Sequence, residues 1–239
     1  MTTNAITPLR PFFLYYGGKW RAAPRYPKPQ HTNIVEPFAG AAGYSLRHHS
    51  HEITLYDADP VVAGIWRWLI DATPDDVRAL PLIAPGQDLH TLPVEGSARD
   101  LIGFWLNKGS TQPKRTLSAW AAECPNQFWG EKIRERIARQ VESIKHWKVI
   151  NRSYLTAPNV EASWFVDPPY QQAGKYYRHG ANRLDFSQLG EWCRSRRGQV
   201  LVCENAGADW LDFRPWRNIK ARKGQSAEVL WTNTQGANQ

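Results

Sequence analysis

Cysteine is scarce in this chain: Cys124, Cys193 and Cys203 form an odd set with no CxxC spacing, and no histidine pair stands at metal-ligand separation. That pattern excludes a disulfide framework and a zinc site, and it implies a reducing, cytoplasmic setting. Long apolar runs are missing too. No stretch approaches the roughly 18 apolar residues needed to cross a bilayer, and residues 1–10 lack the continuous apolar core of a signal peptide, so a soluble protein without a membrane partner is expected. There is no internal repeat and no low-complexity tract. Acid is in deficit: 22 Asp plus Glu stand against 30 Lys plus Arg, a formal net charge of +8. A polyanionic partner is the simplest account, because a positive field speeds encounter with phosphate backbones and supplies salt-dependent affinity. A basic protein with no nucleic-acid partner is the alternative that charge alone leaves open.

The 239 residues fit one domain, or one domain with a small inserted lobe, and suffice to bury a core. Tryptophan is abundant at 12 residues; large aromatics serve packing and base stacking, and most are assigned to the core. From Thr32 the pattern reads strand (Asn33 to Glu36), Gly-rich turn (Pro37 to Gly43), a short helix from Tyr44, and strand (Glu52 to Asp57), which makes a βαβ unit with parallel strands. A helix containing Ile65, Trp66, Leu69 and Ile70 follows, and Thr73 to Gly96 reads as a helical turn plus loop. Ser97 to His146 is helical in pattern, most clearly where Ile133, Ile137, Val141 and Ile144 share one face. Arg134, Arg136, Arg139 and Lys145 occupy its other faces, and solvated surface is preferred over DNA contact for them. Strand signals return at Trp147 to Ile150, Ala162 to Asp167, Gln199 to Glu204 and Ser226 to Thr232, with an amphipathic helix over Ser187 to Arg197. Pro215 to Ala221 and Ser226 to Thr232, joined by Arg222-Lys223-Gly224-Gln225, resemble a hairpin. The sum is an α/β fold: a mostly parallel sheet flanked by helices and closed by one antiparallel pair. Residues 1–72 and 147–239 form the expected main domain, with 73–146 as a small, mostly helical insertion.

Two motifs carry chemistry. Glu36-Pro37-Phe38-Ala39-Gly40-Ala41-Ala42-Gly43 lies at the carboxyl end of the first strand, where open α/β sheets bind ligands and glycine permits close backbone approach. A purely steric Gly-rich turn is the competing account. The turn is not GxGxxG, and no Lys-Ser/Thr follows, which disfavours nucleotide phosphates and a nicotinamide cofactor. Asp57 ends the second strand, where an acid accepts hydrogen bonds from ribose hydroxyls; a solvated turn or cap residue is the alternative, with Asp59 the better cap. Asp167-Pro168-Pro169-Tyr170 is the most specific signal. Two prolines remove two backbone donors and leave carbonyls that only accept, while Asp167 adds an acceptor at a strand end and Tyr170 a flat ring. Such a cluster can take both protons of an amine whose ring lies on the tyrosine.

These residues resemble the DNA adenine methylase family, Dam-like, in which a cofactor motif precedes the catalytic one. Tyr15-Tyr16-Gly17-Gly18-Lys19 resembles its aromatic-x-Gly-Gly-Lys, Glu36 to Gly43 its Glu-Pro-Phe-x-Gly turn, Asp57 its ribose acid, and Asp167 to Tyr170 its catalytic tetrapeptide. Phe104-Trp105-Leu106-Asn107-Lys108 resembles the family's apolar run ending in Asn-Arg, and Glu228 to Asn233 a common C-terminal strand. The departures are Tyr15 for a usual Trp, Lys108 for an Arg, and Asn151-Arg152-Ser153-Tyr154 for a typical Gly-Asp-Phe.

The resemblance implies a Rossmann-like class I methyltransferase sheet, S-adenosylmethionine as cofactor with no metal, and methylation of the N6 amine of adenine in double-stranded DNA after base flipping. It implies Asp167, Pro168, Pro169 and Tyr170 as catalytic residues. Cofactor contacts fall to Tyr15, Gly17, Gly18, Lys19, Glu36, Pro37, Phe38, Ala39, Gly40, Gly43, Asp57, Ser153, Tyr154 and Asp167. DNA contacts are expected from Asn107, Lys108, Arg115, Lys175, Tyr177, Arg178 and Arg183. The loop Gln171 to Arg183 suits phosphate gripping around a flipped base, with an ordinary basic surface loop as its rival. Cytosine-N4 or adenine-in-RNA methylation and an inactive nucleic-acid-binding relative are the competing functions. Monomer and homodimer are equally compatible with the sequence.

Overall fold

The structure is a computed structural model that describes residues 7–124, 126–172, 180–221 and 224–234. Seven strands form one sheet: β1 (Asn33–Glu36), β2 (Glu52–Tyr56), β3 (Lys148–Ile150), β4 (Ala162–Val166), β5 (Gly198–Asn205), β6 (Arg214–Ala221) and β7 (Gly224–Thr232). Their order is β3-β2-β1-β4-β5-β7-β6. β1 pairs in parallel with β2 and β4, and β4 with β5, whereas β7 runs antiparallel to β5 and β6. This is the Rossmann-like class I sheet expected from the sequence, with β7 antiparallel to both of its neighbours. The hairpin turn at Arg222 and Lys223 lies outside the described residues.

The chain divides into two compact units. One comprises residues 27–39, 51–59 and 150–239, and holds most of the sheet. Every residue of β4 is buried, as a central parallel strand covered on both faces requires. Helix α6 (Phe186–Ser195) follows after an intervening segment; Asp185 caps it by accepting from the Gln188 N–H at 3.0 Å. Leu189, Trp192 and Cys193, at helical spacing, join Trp164, Val166, Val200 and Val202 in one core cluster. The helix ends at an extended Arg196, and Gly198 then enters β5 with φ +91°. A Cβ at Gly198 would lie 2.2 Å from the Ala162 carbonyl oxygen, so the β4–β5 approach requires glycine there.

The other unit comprises residues 1–26, 40–50 and 60–149. Its helices are α1 (Pro60–Asp71), α2 (Pro74–Arg78), α3 (Gly96–Trp105), α4 (Ala119–Ala122) and α5 (Glu131–Gln140). α1 buries Val62, Ile65, Trp66 and Leu69, and Trp66 packs with Phe12 and Phe13. Lys145 donates to the carbonyls of Ile70 (2.9 Å) and Ala72, offsetting the partial negative charge at the end of α1. The turn expected after Thr73 is α2, closed by a capping box between Thr73 and Asp76. The helical pattern over Ser97 to His146 is interrupted between α3 and α4, where isolated bridges pair Leu117 with Pro85 and Thr116 with Asp88. The helix expected from Tyr44 is only a 3₁₀ turn, Ser45–Arg47. Only residues 37–51 separate β1 from β2, and the glycine-rich turn consumes half of them. Most tryptophans are interior, Trp66 and Trp164 fully so, while Trp120 is 61% exposed. No helix among the described residues is long and apolar enough to cross a membrane.

Gly198→Ala should destabilise the protein by at least about 2 kcal/mol, because it adds backbone strain to a steric clash. Urea denaturation measures this; a loss under about 0.5 kcal/mol would contradict the close approach.

Candidate active site

β1 and β4 are parallel neighbours, with Val35 opposite Trp164, so their carboxyl ends emerge side by side. The strand order reverses at this pair: β2 and β3 lie beyond β1, β5 beyond β4. In an open α/β sheet that reversal opens the crevice in which ligands bind.

From β1 comes Glu36, 2% exposed, then buried Pro37 and half-buried Phe38. The Ala39 N–H donates to the Tyr56 carbonyl at 2.9 Å, which ties the turn to the end of β2. Half-buried Asp57 comes next, and its Oδ1 accepts from the Asp59 N–H at 2.8 Å. The carboxylate expected to be a ligand acceptor thus also organises the turn into α1, and a carboxylate has acceptor capacity for both tasks. The Asp57 N–H donates to the Ile150 carbonyl at 3.2 Å, and the Asn151 side-chain amide donates to the Asp57 carbonyl at 2.9 Å. Asn151, which departs from the family pattern, therefore ties β3 to the end of β2.

Tyr154 is buried, with its ring 5.2 Å from Phe38 at 31° and edge-on to Trp192 at 5.3 Å. Its hydroxyl donates to Gln188 Oε1 at 3.4 Å, and burial, aided by Cys193 and Asp185, pushes its pKa up to about 12. Ser153 is exposed and accepts from the Leu155 N–H at 3.4 Å, so it serves the local 3₁₀ turn. Phe38 and Tyr154 thus pack on one another within the core of this unit.

β4 ends at Val166, where Pro168 and Pro169 lack the N–H groups needed to continue the ladder. Asp167 is half-buried, Pro168 buried, and Pro169 and Tyr170 half-buried. Two acids to which the sequence assigns no site role bond to this tetrapeptide and the residue after it. Glu204 on β5 and Glu228 on β7 are each 1% exposed. Glu204 Oε1 accepts from the Gln171 N–H (2.7 Å) and the Trp210 indole (3.2 Å), and its Oε2 from the Asn205 N–H (2.8 Å). Glu228 Oε1 accepts from the Tyr170 hydroxyl at 3.2 Å. Burial raises the Glu204 pKa, its three hydrogen bonds oppose that rise, and the nearby Asp167 charge adds to it. The signal was available: each is a lone acid in an apolar strand, Val200 to Glu204 and Glu228 to Trp231, and a buried acid demands partners.

In the other unit, Tyr15, Gly17, Gly18 and Lys19 form a turn closed by the Gly18 N–H on the Tyr15 carbonyl at 3.2 Å. Lys19 is 8% exposed and donates to the Gly17 carbonyl at 3.1 Å. Gly40 has φ +45°, and a Cβ there would touch the Tyr15 ring at 3.2 Å; one at Gly43 would lie 2.4 Å from the Trp20 nitrogen. The two glycine-containing segments thus pack on each other, which gives Gly40 and Gly43 a steric role. Asn107 and Lys108 are exposed, and Lys108 bonds to Gln127 with its ammonium 5.3 Å from the Phe128 ring. Arg115 is engaged by Asp88 in an exposed ion pair. Arg183 is exposed at the end of the 3₁₀ turn Ala181–Arg183, while Lys175, Tyr177 and Arg178 lie outside the described residues. Among the described residues no group of three or more His, Cys, Asp or Glu could hold a metal ion.

No protein-family description and no curated protein matches the chain. Among solved structures it is similar to a candidate methyltransferase of Escherichia coli, yhhF, at 12% identity and TM-score 0.36, covering 84% of this chain and 74% of that one. A conserved hypothetical protein of Streptococcus pyogenes matches at 7% identity and TM-score 0.36, covering 89% and 91%. A candidate methylase of Haemophilus influenzae matches at 13% identity and TM-score 0.34, covering 85% and 80%.

A buried acid with a raised pKa favours folding while protonated, so its contribution is full below the ordinary value of 4.5 and is lost as pH rises through the folded-state value. Glu204→Gln removes that dependence. The stability advantage of the parent over this variant should therefore shrink from acid toward neutral pH; urea titrations showing a constant difference would contradict the assignment.

Proposed function

We propose that the chain is an S-adenosylmethionine-dependent DNA methyltransferase acting on the N6 amine of adenine. The observation that supports it is the emergence of Asp167-Pro168-Pro169-Tyr170 from β4 directly beside the Glu36 to Phe38 turn of β1, where the strand order reverses. That crevice joins an acceptor cluster for an amine to a ribose-type acid, Asp57, and an aromatic pair, Phe38 with Tyr154.

The residues present suit the cofactor. Asp57 would accept from its ribose hydroxyls, and the Phe38 and Tyr154 rings would pack on its adenine. When bound it supplies a methyl group made electrophilic by a sulfonium, and that chemistry needs no metal. The chain's task is then the nucleophile. An exocyclic adenine amine is planar, with its lone pair delocalised into the ring. Acceptance of its two protons by the Asp167 carboxylate and the Pro168 carbonyl draws it toward a tetrahedral shape and exposes the lone pair. Asp167 would hold the proton that the amine gives up on taking the methyl group, the cofactor's sulfur retaining the electrons of the broken carbon–sulfur bond.

Within a duplex the amine is stacked away, so the base must leave the helix at a cost of a few kcal/mol. Stacking on Tyr170 would return roughly 1–3 kcal/mol. The net charge of +8 supplies the attraction to phosphate, with Lys175, Arg178 and Arg183 as the nearest basic residues in sequence to the tetrapeptide. Asn107, Lys108 and Arg115 are further DNA-contact candidates.

Incubation with labelled S-adenosylmethionine and mixed-sequence DNA, followed by nucleoside analysis, should yield N6-methyladenine. N4-methylcytosine, methylated RNA alone, or no product would each overturn the adenine assignment. Asp167→Ala should lower transfer at least about 100-fold while fold and DNA affinity persist; near-parental turnover would refute the mechanism. Joint replacement of Lys175, Arg178 and Arg183 by alanine should reduce the slope of log affinity against log salt by roughly 3, as expected for three lost phosphate contacts. An unchanged slope would remove these residues from the interface.

A further inference from the structure

The proposed mechanism uses Asp167, Pro168 and Tyr170, yet two almost fully buried acids make direct hydrogen bonds to the same stretch of chain. β5 and β7 are antiparallel, with Glu204 opposite Val229 and Asn205 opposite Glu228. Directly opposed residues project to the same face and successive residues to opposite faces, so the two carboxylates project to opposite faces of the sheet. Glu204 lies on the face of Val200 and Val202, in line with its bond to Trp210 in the α6 core. Glu228 lies on the other face and takes the Tyr170 hydroxyl. The chain leaving β4 is held at Tyr170 through its hydroxyl and at Gln171 through its main-chain N–H.

We infer that Glu228 and Glu204 are positioning residues that clamp the tetrapeptide, Glu228 orienting the Tyr170 ring through its hydroxyl and Glu204 anchoring the following peptide through the Gln171 N–H. As a catalytic statement this rests on the methyltransferase reading, because the oriented ring is the one on which a flipped base would stack. A half-buried tyrosine retains freedom about its side-chain bonds, and a base must find the ring already set for stacking to offset extrusion. Burying two acids is costly unless their bonds are satisfied, and among the bonds that satisfy them are the two that hold this segment, from the Tyr170 hydroxyl and the Gln171 N–H.

The two acids differ in what can replace them. Glu228 accepts from a hydroxyl, a task an amide oxygen can also perform. Glu204 faces three converging N–H donors, from Gln171, Asn205 and Trp210, so a glutamine there would turn its own NH₂ toward one of them. Glu228→Gln should therefore stay within about twofold of the parent in single-turnover methyl transfer, whereas Glu228→Ala should fall about tenfold with unchanged cofactor affinity. Tyr170→Phe removes the same bond from the other side, so Tyr170→Phe combined with Glu228→Ala should be no slower than the slower single variant. A double variant slower by the product of the two single losses, or a Glu228→Gln variant as impaired as Glu228→Ala, would overturn the role of Glu228.

Hydrogen exchange of the Gln171 amide in the intact folded protein provides a readout that needs no turnover. Glu204→Gln should accelerate it at least about tenfold, and an unchanged rate would overturn the anchor. If the parent transfers no methyl group to DNA, the proposed function fails, while the exchange result still decides the anchor.

Discussion

Parallel pairing of β1 with β4, with Val35 set against Trp164, brings two chain segments separated by more than a hundred residues to one sheet edge. The pairing holds because β4 is buried along its length and its indole and aliphatic side chains share a core with α6. A parallel strand cannot slip by one residue without reversing which side chains face that core. The placement of the acceptor tetrapeptide relative to the turn after β1 is therefore set by packing. Gly198, which admits the Ala162 carbonyl where a side chain would clash, fixes the next strand in the same register.

Around that edge the polar groups form a tethered set. Asp57 receives the Asp59 N–H, Asn151 holds the main chain at Asp57, and Ala39 bonds to Tyr56, so the ends of β1, β2 and β3 are joined by hydrogen bonds of 2.8–3.2 Å. On the far side of the crevice, Glu204 and Glu228 perform the corresponding task for the tetrapeptide. Preorganisation of this kind is what an electrostatic mechanism requires, since donors and acceptors that must reorganise during reaction lose their advantage over water.

Several candidate site residues have structural partners of their own. Gly40 and Gly43, candidates for ligand approach, each have a steric neighbour, the Tyr15 ring and the Trp20 nitrogen, that already demands glycine. Ser153 closes a local turn, and Tyr154 joins the core through Phe38 and Trp192. Lys108 and Arg115, candidates for phosphate contact, are engaged by Gln127 and Asp88 at the protein surface. Exposed pairs of this sort contribute little to stability, so a phosphate could displace such partners at small cost.

From sequence alone came the strand–turn–helix alternation, the β1 and β4 cores, the C-terminal hairpin and the tetrapeptide, because each is written in local signals: apolar period, glycine and proline punctuation, and the absent N–H groups of Pro168 and Pro169. The interruption of the helical pattern after Trp105 was not legible, since the bridges found there, to Pro85 and Asp88, are made at a distance. Nor was the length of the turn after Tyr44, which is limited by the short return to β2. The partners of Glu204 and Glu228 lay beyond reach for the same reason. A lone acid in an apolar strand announces that it must be satisfied, but which N–H or hydroxyl satisfies it is decided only when strands remote in sequence are laid side by side.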